Sequence, residues 1–138
     1  MAEIENALAK KLKLKSGRAG FINAPAGYLK ELGPLPAGVE VVETLSGKFD
    51  WVQVFVKNKA DIDKLAPRVA KALKPDSLWW ISFPKGSSKI QTDLTRDKGW
   101  DALSGLDLKW TNLISVNETW SAFSLRPYKA GEARQNFR

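Results

Sequence analysis

Phe49–Lys57 is apolar at nearly every position, and so is Leu78–Phe83. Between them Ile62, Leu65, Val69 and Leu73 recur at helical spacing, which predicts a helix over Lys59–Lys74. Strand, helix, turn and strand in that order make one βαβ crossover. Strands apolar on both faces belong in a parallel sheet covered by helices on each side. The expected fold is therefore α/β: a Rossmann-like mixed sheet of about six strands, mostly parallel, with an antiparallel C-terminal hairpin and helices on both faces.

The rest of the chain fills in that plan. Ile4, Leu8 and Leu12 fall at i, i+4 and i+8, so Ile4–Lys13 reads as an amphipathic helix that Ser16-Gly17 ends. Arg18–Asn23 and Val39–Thr44 read as strands. The three prolines and three glycines of Ala24–Gly38 leave room for one helical turn, near Tyr28–Leu32. Pro67 is expected to kink the helix that holds it or to start a new segment. Pro75-Asp76-Ser77 reads as the turn into the fourth strand. Pro84–Ser88 reads as a loop, and Thr92 or Asp93 as the cap of a helix reaching Ser104. Leu108–Val116 and Trp120–Arg126, joined at Asn117–Thr119, form a tight antiparallel hairpin. Residues 1–127 are read as one domain, and 128–138 as a polar, basic, frayed tail.

Composition narrows the chemistry. The 138 residues contain no Cys and no His. That removes disulfides, thiolate metal sites, an imidazole base and the Ser-His-Asp triad, and makes the cytoplasm the expected compartment. No apolar run approaches the ~18–20 residues of a membrane helix, so no membrane association is expected. The basic N-terminal segment lacks the apolar core of a secretory signal. The net charge of +7 divides into +4 over residues 1–30 and +3 over 126–138, with none between. Weak, sequence-independent and salt-sensitive polyanion binding through the termini is the partner reading this supports. Of the six tryptophans, Trp51, Trp79 and Trp80 are expected in the core.

The order of elements resembles the C-terminal half of the class I, S-adenosylmethionine-dependent methyltransferase fold. Phe49-Asp50-Trp51-Val52 resembles the entry of an Asp into that family's central strand. Leu73-Lys74-Pro75-Asp76-Ser77-Leu78 resembles its "leucine, lysine, proline, glycine, glycine" turn, with Asp76 and Ser77 in place of both glycines. More local still, Asn23-Ala24-Pro25, Gly27-Tyr28, Leu32-Gly33-Pro34-Leu35-Pro36, Phe83-Pro84-Lys85, Thr92-Asp93-Leu94-Thr95 and Glu118-Thr119-Trp120-Ser121 resemble a family of small bacterial proteins known only as a domain of unknown function. The resemblance spans about Leu8 to Pro127. It implies a shared fold and carries over no activity. By analogy with the methyltransferase order, Trp120–Arg126 should insert between the fourth and fifth strands, with the third strand internal.

The departures from a working methyltransferase shape the functional expectation. A dinucleotide or nucleoside loop after the first strand uses closely spaced glycines so that the backbone can approach the ligand. Here the loop is Asn23-Ala24-Pro25-Ala26-Gly27, with one glycine and with Pro25 lacking an amide. Only a few residues separate the second strand from the third, so a strand–helix unit is missing. Glu43 stands where an acid would hold ribose hydroxyls, although a surface carboxylate at a strand end has the same appearance. Lys85-Gly86-Ser87-Ser88 is a basic, hydroxyl-rich loop at a strand's carboxyl edge. The candidate ligand-binding residues are Asn23, Tyr28, Glu43, Lys85, Ser87, Ser88, Thr92 and Asp93. No catalytic residue, metal or cofactor is assigned. The expectation is a non-catalytic module binding a small molecule or protein, with S-adenosylmethionine held no tighter than about 1 mM. The alternatives are an S-adenosylmethionine-dependent methyltransferase with an atypical cofactor loop, and a nucleic-acid-associated protein acting through its basic ends.

Overall fold

The computed structural model describes residues 7–14, 16–32, 35, 37–85, 103, 108–129, 131 and 132. Among them six strands form one sheet: β1 (Gly17–Ile22), β2 (Val39–Val42), β3 (Phe49–Phe55), β4 (Leu73–Pro84), β5 (Leu108–Ser115) and β6 (Trp120–Pro127). Their order is β2-β1-β3-β4-β6-β5. β1 pairs in parallel with β2 and β3, and β3 with β4, whereas β6 runs antiparallel to both β4 and β5. The α/β fold expected from the sequence is present, with β3 internal and the last strand inserted between β4 and β5.

The period of two along the central strands builds a core on each face. Val52, Val54, Trp79, Ile81 and Phe83 face one side, where they pack with Ile62, Leu65, Ala66 and Val69 of α3 (Lys59–Lys71). Trp51, Phe55 and Trp80 face the other side. There Leu12 and Leu14, which follow α1 (Ala7–Lys11), join Tyr28 and Leu32 of α2 (Tyr28–Leu32). The indoles of Trp51 and Trp80 both donate to the Leu12 carbonyl, at 2.8 and 2.7 Å. That carbonyl lies beyond the short α1 and has no next turn to bond, so two core side chains take the place of a helical partner.

One polar chain crosses this second core. The Tyr28 hydroxyl donates to Gln53 Oε1 at 2.9 Å, and Gln53 Nε2 donates to Ser82 Oγ at 2.9 Å. Gln53 and Ser82 are fully buried, so these bonds replace the water that both groups give up.

The N-terminus of α3 is capped as its sequence allows. Asn58 Oδ1 accepts from the Asp61 amide at 3.0 Å, and Asp61 Oδ2 accepts from the Lys57 amide at 2.8 Å. Pro67 neither breaks nor restarts the helix, which runs unbroken through it. Pro67 lies on the exposed side, where water can take the carbonyl that loses its partner. The helix ends at Lys71 rather than Lys74, because Leu73 pairs with Phe49 as the first residue of β4. The expected turn at 75–77 is an irregularity inside that strand. Ser77 Oγ holds it, accepting from the Lys74 amide and donating to the Phe49 carbonyl, both at 2.6 Å.

Residues 43–48 carry the chain from β2 back to β3 without a helix. Arg18 pins this tether: its guanidinium donates to the carbonyls of Ser46 and Lys48 and lies 4.6 Å from the Phe49 ring centroid. Gly47, at φ 70°, takes the tight turn, and a Cβ there would sit 3.0 Å from Arg18 Nη1. Beneath the tether, Asp50 Oδ2 accepts from the Arg18 amide and Oδ1 from Lys74 Nζ, each at 2.8 Å. The Lys74 ammonium and then the Arg18 amide hold the Asp50 carboxyl below its ordinary range. Gly17 must stay small, because at φ 127° its Cβ would fall 2.7 Å from Asp50 Oδ2.

Of the tail expected at 128–138, residues 128, 129, 131 and 132 are described, the rest lie outside the described residues, and Glu132 ties the described part to the domain. Glu132 makes a two-pronged pair with Arg126, at 2.9 and 2.7 Å, and also accepts from Lys109 Nζ at 2.8 Å and from the Lys129 amide at 2.9 Å. Arg126 first, then Lys109 and the amide, hold the Glu132 carboxyl far below the carboxylate range. A carboxyl whose pKa is depressed by folding contributes stability above its unfolded value, about 4.3, and loses it as pH falls through the folded value. Glu132→Gln should therefore lose, at pH 7, amide exchange protection at Arg126, Lys129 and position 132 relative to the native chain at the same pH. Equal exchange in the two proteins at pH 7 would rule the clasp out.

Candidate functional site

β1 and β3 lie side by side, but their onward connections diverge, β1 leading to β2 and β3 to β4. A crevice opens at such a divergence, beyond the carboxyl ends of the strands. Two adjoining clefts occupy it here. The larger, about 600 Å³, has Asn23 to Ala26 on one side, Phe55 and Trp120 at its base, and Lys57 and Asp61 opposite. The smaller, about 270 Å³, lies between the start of the tether (Glu43, Thr44, Leu45) and α3 (Lys64, Leu65, Arg68). Asn23 and Asp61 line both, so the two form one groove.

Each wall follows from local structure. Asn23 ends β1 at φ 58°, a left-handed conformation that Asn tolerates better than most side chains. The loop then turns through Gly27 at φ 82° into α2, with the Tyr28 amide donating to the Pro25 carbonyl at 3.0 Å. A Cβ on Gly27 would meet nothing within 4 Å. The base is aromatic: Phe55 stands edge-on to Trp120, centroids 5.2 Å apart, and is backed from inside the core by Tyr28, edge-on at 4.6 Å.

The sequence-derived candidates are placed unequally. Asn23 and Glu43 come together in the smaller cleft. Tyr28 is buried behind Phe55 and lines neither cleft. Burial pushes its phenol up to about 12, so it is neutral at physiological pH and cannot serve as a base. Lys85 points to the terminal hairpin: its amide donates to the Thr119 carbonyl at 2.8 Å and its Nζ to Ser115 Oγ at 2.6 Å. Ser87, Ser88, Thr92 and Asp93 lie outside the described residues. Among the described residues no group of His, Cys, Asp or Glu is arranged to hold a metal ion, and no helix is long and apolar enough to cross a membrane. Of the basic ends, Lys11 Nζ is bonded to the Ser115 carbonyl at 2.8 Å and Arg126 is held by Glu132, so part of that charge is fixed against the domain.

Sequence reasoning did not assign Lys57, Asp61, Lys64 and Arg68 to the site. A signal was present. Asp61, Lys64 and Arg68 fall at i, i+3 and i+7, which sets them along one side of α3 next to the apolar stripe.

No family model matches the chain, and no curated protein matches it in sequence. Solved structures do match in fold. The ribosomal protein L11 methylase of Lactobacillus delbrueckii subsp. bulgaricus is 14% identical with a TM-score of 0.59, over 88% of this chain and 75% of that one. DhpI, in its SAH complex, is 11% identical with a TM-score of 0.60, over 88% and 82%. A TehB-like SAM-dependent methyltransferase from Corynebacterium glutamicum is 10% identical with a TM-score of 0.54, over 88% and 85%. The chain has the methyltransferase-like Rossmann fold.

Proposed function

We propose that this chain is an S-adenosylmethionine-dependent methyltransferase with an atypical cofactor loop. The observation that carries the reading is the groove at the β1/β3 divergence, with the Glu43 carboxylate beyond β2 and Asn23 beyond β1 on one wall. The larger cleft, about 600 Å³, has the size of a small-molecule site, roughly 300–1,000 Å³. The residues present fit the cofactor. Glu43 offers acceptors to ribose hydroxyls. The amides of Ala24, Ala26 and Gly27 donate to no acceptor among the described residues, and the space above Gly27 is open. The cofactor, when bound, supplies an electrophilic methyl group. Phe55 and Trp120 give the larger cleft an aromatic base, and Asp61 is a carboxylate in its lining.

A second reading, the non-catalytic binding module, draws on the single glycine and the missing Pro25 amide in the cofactor loop. Calorimetry with S-adenosylmethionine and its demethylated product separates the two. The transferase reading expects a dissociation constant of about 1–100 μM, at least tenfold weaker in Glu43→Gln. No binding up to about 1 mM, near −4 kcal/mol, would overturn it in favour of the module.

A further inference from the structure

The smaller cleft carries two basic side chains that an adenosyl group does not use. Lys64 and Arg68 stand one helical turn apart on α3 and share the cleft with Glu43, Thr44 and Asn23. Neither basic side chain makes an ion pair or a hydrogen bond among the described residues, whereas Arg18, Lys59, Lys74, Lys109 and Arg126 all pair with carboxylates. Two like charges at i, i+4 disfavour a helix slightly, and an anion seated between them reverses that penalty. Glu43 and Asp61, which also lines the cleft, balance the two basic side chains and argue against a bare anion, which they would repel. A carboxylate suits hydroxyls instead, since it only accepts hydrogen bonds. The cleft exists because the tether at 43–48 passes here in place of a strand–helix unit, leaving this side of α3 uncovered.

We infer that the smaller cleft takes a phosphate carried on a ribose, that is, a single ribonucleotide, with Arg68 and Lys64 on the phosphate and Glu43 on the sugar hydroxyls. Arg68 offers a planar fork to phosphate oxygens, and Lys64 adds a point charge beside it. Ile22, Leu45 and Leu65 supply apolar wall for the base. The inference shares Glu43 with the transferase reading but does not rest on it, because S-adenosylmethionine bears no phosphate.

The test is calorimetry on the full chain with adenosine, 5′-AMP, 3′-AMP and inorganic phosphate, at low and at raised salt. At least one AMP isomer should bind about tenfold or more tighter than adenosine, and the advantage should shrink with salt. Arg68→Glu should erase the advantage while leaving adenosine binding unchanged. Lys30→Glu, an exposed charge reversal on α2 away from both clefts, should leave it intact. Should Arg68→Glu fail to fold by circular dichroism, Arg68→Gln and Lys64→Gln, which add no negative charge, serve instead. Equal affinity for adenosine and both AMP isomers overturns the inference. So does an Arg68 variant no different from Lys30→Glu. Inorganic phosphate binding as well as AMP overturns the ribose assignment. Demethylated-cofactor binding with no preference for AMP would spare the transferase reading and sink this one; AMP preference without cofactor binding would do the reverse.

Discussion

Trp80→Ala should lower the free energy of unfolding by about 3–5 kcal/mol, the range for emptying a large buried aromatic site. Trp80 is fully buried, and its indole is one of two donors on the Leu12 carbonyl. The substitution therefore opens a cavity and loosens the segment that closes this face of the sheet. Domains of this size have only about 5–15 kcal/mol in total, so the variant should be marginal at 37 °C. Trp80→Phe keeps much of the volume and leaves Trp51 on the carbonyl, and should cost less than the alanine change. Urea unfolding monitored by far-ultraviolet circular dichroism measures both. A loss under about 1 kcal/mol for the alanine variant would mean that the Leu12–Leu14 segment does not belong to the core.

Raising the pH from 10 to 12 should destabilise the native chain by up to about 2–3 kcal/mol through Tyr28 alone, since a tenfold change in proton affinity is worth about 1.36 kcal/mol. Its pKa is about 12 in the folded state, chiefly through burial, against about 10 for a free phenol. Below pH 10 both states hold the proton and the contribution is complete. Between the two values the unfolded chain loses its proton while the folded one keeps it, and stability drains away. Tyr28→Phe should start lower at pH 7, because Gln53 Oε1 loses its donor at a cost of about 1–3 kcal/mol, yet fall less steeply in alkali. Lysine titration is common to both proteins and cancels in the comparison. Parallel stability curves over pH 8–12 would show that the phenol is not held as described.

The sheet was legible because its central strands are apolar on both faces, which leaves few alternatives for Phe49–Phe55 and the run through Trp79 and Trp80. The start of β4 was not. Leu73 continues the Ile62, Leu65, Val69 spacing, so periodicity alone carries the helix too far. What ends it is the pairing of Leu73 with Phe49, and the irregularity that follows is held by Ser77 Oγ, which accepts from the Lys74 amide and donates to the Phe49 carbonyl; no local pattern reveals either. At the site, Asn23 and Glu43 were readable as residues just past strand ends. Tyr28 was misleading, since a tyrosine in a loop rich in glycine and proline looks accessible, and only the third dimension brings it onto Gln53. Lys64 and Arg68 escaped because a helix side facing away from the core ordinarily meets water. They became part of a cleft only where the tether passes beside them.

That tether has a consequence for self-association. Among the described residues no strand lies outside β2, which is therefore the terminal strand on its side of the sheet. Exposed edges invite pairing with other chains unless they are short, charged or bent. β2 is four residues long, carries Glu40 at its second position, and exposes Val41 as its one large apolar side chain. The chain thus limits misassembly on this side by offering a template too short and too charged for a second sheet to grow on.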